Sequence, residues 1–144
     1  MTSDLSDAEY RELLAFRTAV RHFLHWSEHQ ATGLGVTPAQ HQLLLAVRGH
    51  EGALGPTIGD VAESLLLRHH SAVGLVDRAV AANLVERRSD PEDHRIVRLR
   101  LTALGARRLR QLAGLHLAEL RRMMPVLAPA LFADQPGDRE KGEA

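Results

Sequence analysis

The stretch whose reading decides the fold runs Leu84-Val85-Glu86-Arg87-Arg88-Ser89-Asp90-Pro91-Glu92-Asp93-His94-Arg95-Ile96-Val97-Arg98-Leu99-Arg100-Leu101-Thr102. Val97, Leu99 and Leu101 alternate with Arg98 and Arg100, the two-residue period of a strand with one buried face. Val85 opens a second short run upstream, and Ser89 to Asp93 between them is a polar breaker cluster. The segment therefore predicts two antiparallel strands joined by an exposed tip, and the tip carries His94 and Arg95. With Arg87, Arg88, Arg98 and Arg100 on its strands, the hairpin is basic.

Working upstream, Ala72, Leu75, Val76, Ala79 and Val80 form one apolar face of a helix over 72–83. Thr57-Ile58-Gly59-Asp60 has capping-box spacing and opens a short helix ending near Leu67, with Arg68-His69-His70-Ser71 as the link. Two short helices joined by a tight turn predict a helix-turn-helix, and a basic hairpin directly behind it has the build of a wing. Double-stranded DNA is the partner that this arrangement fits.

Further out, Thr37-Pro38-Ala39-Gln40 is another capping box with proline at the first helical position, predicting a helix from Pro38 to Arg48. Gly49, Gly52, Gly55 and Pro56 follow as a loop. Ser6-Asp7-Ala8-Glu9 opens a long first helix to about Ala31, with Tyr10, Leu13, Leu14, Phe23 and Leu24 at helical spacing. Thr102 caps a long fifth helix through Leu109, Leu112, Leu115, Leu120, Met123 and Met124, and Pro125 and Pro129 should bend or break it before a last apolar piece, Val126 to Phe132. Helices this long cannot bury their apolar stripes against so small a winged part and need a partner, most simply a second copy. The expected architecture is mainly α with a small β wing. One domain spans 1–144, with a winged helix-turn-helix at 37–102, dimerisation segments at 5–31 and 103–133, and a polar tail at 134–144.

Composition bounds the rest. At 144 residues and 44% apolar content the chain can bury one core, and 3% aromatics favour helices packed through Leu, Val and Ala. Net charge is zero, but from Arg68 to Arg110 ten arginines face five acids, so a basic region stands against an acidic remainder. The absence of cysteine excludes disulfides, thiolate catalysis and cysteine-based zinc sites. No apolar run approaches the roughly 18 residues of a membrane span, and the acidic, polar start predicts a cytoplasmic protein. There is no nucleophile elbow and no phosphate-cradling glycine loop, so no enzyme and no cofactor are expected.

The order of elements and three local motifs resemble the MarR (multiple antibiotic resistance regulator) family of transcription factors. Leu75-Val76-Asp77-Arg78, Asn83-Leu84-Val85-Glu86-Arg87, and Asp93-His94-Arg95 leading into Leu99-Arg100-Leu101-Thr102 are similar to that family's L-V-D-R, G-L-V-x-R and D-x-R-x-x-x-L-x-L-T segments. The resemblance implies a homodimeric regulator, in the main a repressor, on a pseudo-palindromic operator, with recognition helices in successive major grooves. It places Arg95 in the minor groove with Asp93 as the acid that orients it. Asn83 departs from the family's usual glycine but tolerates the same left-handed angles. Gly74 replaces a larger polar residue, which puts base reading there in question.

Among individual residues, Arg68, His69, His70 and Ser71 start the recognition helix, where side chains meet base edges and phosphates, and Val73 and Gly74 follow. Arg78 serves either a phosphate or an ion pair with its neighbours. Arg87, Arg88, His94 and Arg98 surround the tip as phosphate contacts or as a solvated face. The resemblance also implies a pocket for a small aromatic or anionic effector near the dimerisation helices, for which His25, Trp26, His29, His41, Arg48 and His116 are candidates against ordinary packing. The same histidines allow a metal-sensing alternative, but no tight ligand motif supports it, so no metal site is assigned. A third alternative is a winged dimer that binds a ligand or protein and has no specific DNA target.

Overall fold

All but one of the helices among the described residues begin where the sequence supplies a side-chain cap. The computed structural model describes residues 4–132, with side chains described through 127. Helix α1 (Asp7–Gly33) starts at Ser6, whose Oγ accepts from Glu9 N–H at 3.3 Å while the Glu9 carboxylate accepts from Ser6 N–H at 2.7 Å. Helix α2 (Pro38–Arg48) has the reciprocal pair Thr37 and Gln40, both bonds 3.1 Å, and α3 (Ile58–Ser64) has Thr57 and Asp60, at 3.1 and 3.0 Å. Thr102 Oγ1 accepts from Gly105 N–H at 3.0 Å and opens α5 (Ala103–Phe132). These side chains satisfy N–H groups that a helix start leaves without partners.

The chain forms two compact units. The first is Ser27–Gly114; the second combines the described residues 4–26 and 115–132. In the first, Leu43 and Leu44 of α2, Val61 of α3, Val76 of α4 (His69–Ala81), Leu99 and Leu112 build the core. Strands β1 (Val85–Ser89) and β2 (Val97–Leu101) pair antiparallel with Arg87 opposite Leu99. The predicted alternation in β2 holds for Leu99, which is buried, and Leu101, which is half-buried, whereas Val97 at the tip end is exposed. Behind β2 the loop before α3 adds a further rung, with Leu99 N–H donating to Pro56 O at 2.9 Å and a bridge between Thr57 and Arg98. That loop crosses so close that a Cβ on Gly55, whose φ is +83°, would lie 2.2 Å from Leu99 O.

In the second unit, Tyr10, Leu13 and Leu14 of α1 and Leu117, Leu120 and Met124 of α5 are exposed. Among the described residues no helix is long and apolar enough to cross a membrane.

Three expectations change. Helix α3 stops at Ser64, short of Leu67, because Leu66 turns left-handed at φ +54° and ends the hydrogen-bonding run. The link before α4 is correspondingly earlier. Arg68 is its N-cap and accepts Ala72 N–H at 3.0 Å, so His69, His70 and Ser71 belong to the helix. No break occurs at Pro125 or Pro129, since α5 continues to Phe132. A proline removes one backbone bond, and both Pro125 and Arg121, whose carbonyl loses its partner, are exposed to water. Residues 133–144, including the expected polar tail, lie outside the described residues.

Candidate nucleic-acid interface

Helix α4 presents a polar start and buries the rest of itself. Ala72, Leu75, Val76 and Ala79 face the core, while Arg68, His69, His70 and Ser71 are all exposed. Arg68 makes no side-chain cap bond, so the first N–H groups of α4 are left without side-chain acceptors from the cap residue. Val73 and Gly74 are half-buried. A Cβ on Gly74 would lie 3.3 Å from a terminal guanidinium nitrogen of Arg78, so Arg78 lies back along the face that glycine leaves open. Helix α4 ends at Ala81, two residues short of the expected Asn83, and Asn83 just beyond it takes the left-handed turn expected of it, at φ +59°.

The hairpin that follows is a chain of ion pairs. Arg87 on β1 pairs with Asp77 on α4, which ties the hairpin to that helix. Arg88 pairs with Glu86 on its own strand at 2.8 Å. At the tip Asp93 receives Arg95 through two side-chain bonds, Nε to Oδ1 at 3.0 Å and a terminal nitrogen to Oδ2 at 3.1 Å, and also accepts Arg95 N–H at 3.1 Å. The Arg95 side chain is 90% exposed while so held. The bond to Arg95 keeps the Asp93 carboxyl below the usual carboxylate range, and Asp93 in turn raises the Arg95 guanidinium above its ordinary value. His94 beside it is exposed.

Arg98, expected from the sequence as a phosphate contact or part of a solvated face, is turned inward to partners within the chain. Its side chain is 24% exposed, its Nε donates to Asp90 at 3.0 Å and a terminal nitrogen donates to Gly55 O at 3.3 Å. Asp90 was read only as a turn former and is in fact buried. Its carboxyl is held below the usual range chiefly by the N–H groups of Glu92 and Asp93, with Arg98 adding to them. The Asp-Pro opening of the tip was the available signal, because an Asp side chain at that position commonly accepts backbone bonds two or three residues on.

The other candidates divide between the units. Trp26 and His116 come together in the second, with ring centroids 4.9 Å apart, and Phe23, which the sequence reading had placed only on an apolar face, packs on both. His25 is exposed there. In the first unit His41 is buried and His29 and Arg48 are exposed. Among the described residues no group of three or more His, Asp or Glu side chains converges to hold a metal ion.

Residues 34–96 match the model of the MarR family. No curated protein matches the chain. Among solved structures, the chain is similar to AbsC, a MarR family transcriptional regulator from Streptomyces coelicolor, at 26% identity over 92% of this chain and 89% of that one, with a TM-score of 0.72. It is also similar to wild-type MarR from E. coli, at 20% identity over 88% and 86% with a TM-score of 0.65. A MepR mutant from S. aureus, solved bound to an oligodeoxyribonucleotide, aligns at 19% identity over 85% and 83% with a TM-score of 0.65. The segment that matches the MarR family model is the helix-turn-helix with the first part of its hairpin, and the fold is shared with the solved MarR family regulators.

Proposed function

We infer that this chain, with its MarR-family winged helix, is a DNA-binding transcriptional regulator that represses from a pseudo-palindromic operator as a homodimer. The observation that carries the reading is Arg95, a fully charged side chain projecting from the hairpin tip in a pose fixed by Asp93. An arginine so presented suits the narrow minor groove, where negative potential is enhanced. In this reading Arg68, His69, His70 and Ser71 meet base edges and phosphates in the major groove, with Val73 and Gly74 allowing close approach. Arg78, Arg87, Arg88 and His94 flank the phosphates. The chemistry is recognition and not catalysis.

The exposed leucines of α1 and α5 support a second copy as the partner of the helical unit, since a monomer would leave them in water. A two-fold dimer then reads half-sites about 34 Å apart, one helical turn. A small aromatic or anionic effector would release the DNA by binding one spacing of the recognition helices better than the other. The Phe23–Trp26–His116 cluster is the observation that favours an aromatic one.

Selection of bound duplexes from a random library, followed by a salt titration of the winner, tests the reading. An enriched inverted repeat whose log affinity falls by about 0.9 per phosphate contacted, for each decade of salt, supports it. Absence of any enriched motif refutes it.

A further inference from the structure

The tip of the wing contains a buried carboxylate that no contact with nucleic acid requires. Asp90 is 5% exposed, in a loop whose other residues are largely in water. A buried charge is unfavourable unless it is paired and hydrogen-bonded. Asp90 meets that condition. Oδ1 accepts Glu92 N–H at 2.8 Å and Asp93 N–H at 3.1 Å, Oδ2 accepts Arg98 Nε–H at 3.0 Å, and its own N–H donates to Ile96 O at 2.9 Å.

These bonds run in one direction. Asp93 has its N–H on Asp90 and its carbonyl on Ile96 N–H at 3.0 Å, so its backbone is held from both sides. The Asp93 side chain then takes Arg95 by three donors. At the other end Arg98 reaches Gly55 O and shares a backbone bridge with Thr57, the N-cap of α3. The pose of Arg95 is thereby referenced to the start of the helix-turn-helix as well as to its own strands.

We propose that Asp90 and Arg98 are positioning residues of the wing: they touch no DNA and set, through Asp93, the pose in which Arg95 is presented. The proposal rests on the DNA-binding reading given above. Fixing a long side chain before binding removes a loss of rotamer freedom that would otherwise oppose it, an effect of about three- to tenfold in affinity.

The test is a double-mutant cycle on the full chain with its selected duplex. Asp90→Ala should raise Kd about three- to tenfold in the parent and less than twofold when Arg95→Ala is already present, because the effect travels through that arginine. Asp90→Asn, which keeps the Oδ1 acceptor, should recover most of the loss. Should Asp90→Ala unfold the hairpin, Arg98→Gln cuts the tether while leaving both backbone bonds of Asp90, and the same cycle is run on it. An equal penalty with and without Arg95 would overturn the proposal. A second readout needs no DNA. The Arg95 Nε–H signal in the NMR spectrum should exchange slowly in the parent and as fast as that of exposed Arg68 in Asp90→Ala, and an unchanged Arg95 signal would overturn the positioning role. A parent that binds no duplex but shows this NMR difference would count against the DNA reading and leave the positioning chain standing.

Discussion

Replacing Gly105 by alanine should destabilise the Ser27–Gly114 unit, although alanine is the better helix former. Gly105 lies in the first turn of α5, and a Cβ built there would sit 2.0 Å from Leu84 O and 2.9 Å from its carbonyl carbon. Ordinary carbon contacts begin near 3.5 Å, so helix and chain must separate by more than about 1 Å. The Leu84 carbonyl is not free to yield, because it accepts Thr102 N–H at 3.1 Å and the Thr102 hydroxyl at 3.2 Å. Overpacking against a fixed backbone costs about 3 kcal/mol at the upper end of its usual range, and the gain from replacing glycine in a helix is about 1 kcal/mol, leaving a net loss of about 2 kcal/mol. Gly59 is the matched control. It also lies in the first turn after a capping threonine, but its Cβ would meet only Thr57 Oγ1 at 3.6 Å, an ordinary contact. Gly59→Ala should therefore stabilise by about 0.5 kcal/mol. Urea unfolding followed by circular dichroism, at one fixed protomer concentration, separates the two by their midpoints. A midpoint for Gly105→Ala at or above that of the parent would refute the argument from close approach.

Arg95→Ala should weaken operator binding about ten- to a hundredfold and leave the melting temperature unchanged, as read by fluorescence anisotropy and a thermal scan; unaltered affinity would remove the wing tip from the mechanism. Leu66→Gly should stabilise by about 0.5–1 kcal/mol, because Leu66 is 93% exposed and held at φ +54°, so glycine relieves strain and forfeits no packing. A fall in melting temperature would show that Leu66 makes contacts beyond this chain. Asp60 is held below the usual carboxylate range, first by Thr57 N–H. Its contribution is therefore complete above the unfolded-state value and lost as pH falls through the folded one. The urea midpoint should drop on acidification below the ordinary carboxylate range, and drop less in Asp60→Asn; an identical pH profile would refute the assignment. Analytical ultracentrifugation should return twice the 15.9 kDa chain mass, and a monomer would undercut the two-fold operator.

Helix starts were legible because a cap is a local event. Ser6 with Glu9, Thr37 with Gln40 and Thr57 with Asp60 each act over three residues, and α2 begins and ends where its capping box and loop glycines place it. Helix ends were less legible because packing sets them. No glycine or asparagine marks the end of α3, where a leucine takes the left-handed turn. Arg68 caps α4 with its backbone alone, which no side-chain pattern announces. Pro125 shows the opposite error, a strong local signal overruled within a helix of 30 residues. At the site, the pairing of Asp93 with Arg95 is implied by the family resemblance. Asp90 could not be read this way, because its burial arises only when Arg98, eight residues on, folds back beside it.

Four of the five arginines in the hairpin already face a carboxylate of the chain, namely Arg87, Arg88, Arg95 and Arg98 with Asp77, Glu86, Asp93 and Asp90. The count of arginines therefore overstates the field the wing projects, and the zero net charge of the chain is in part this local pairing. Such pairs do not all respond alike to a phosphate. Arg88 and Glu86 are both well exposed, and an exposed pair contributes little, so a phosphate can replace the carboxylate. Arg98 cannot make that exchange, because leaving would strand a buried Asp90. Arg95 lies between these cases, since its partner aims it without covering it. Under the proposed DNA-binding function, a wing arranged in this way would attract any polyanion weakly and hold best the duplex whose groove width accepts one arginine in a fixed pose. Sequence preference would then come from DNA shape at the wing more than from the sum of its charges.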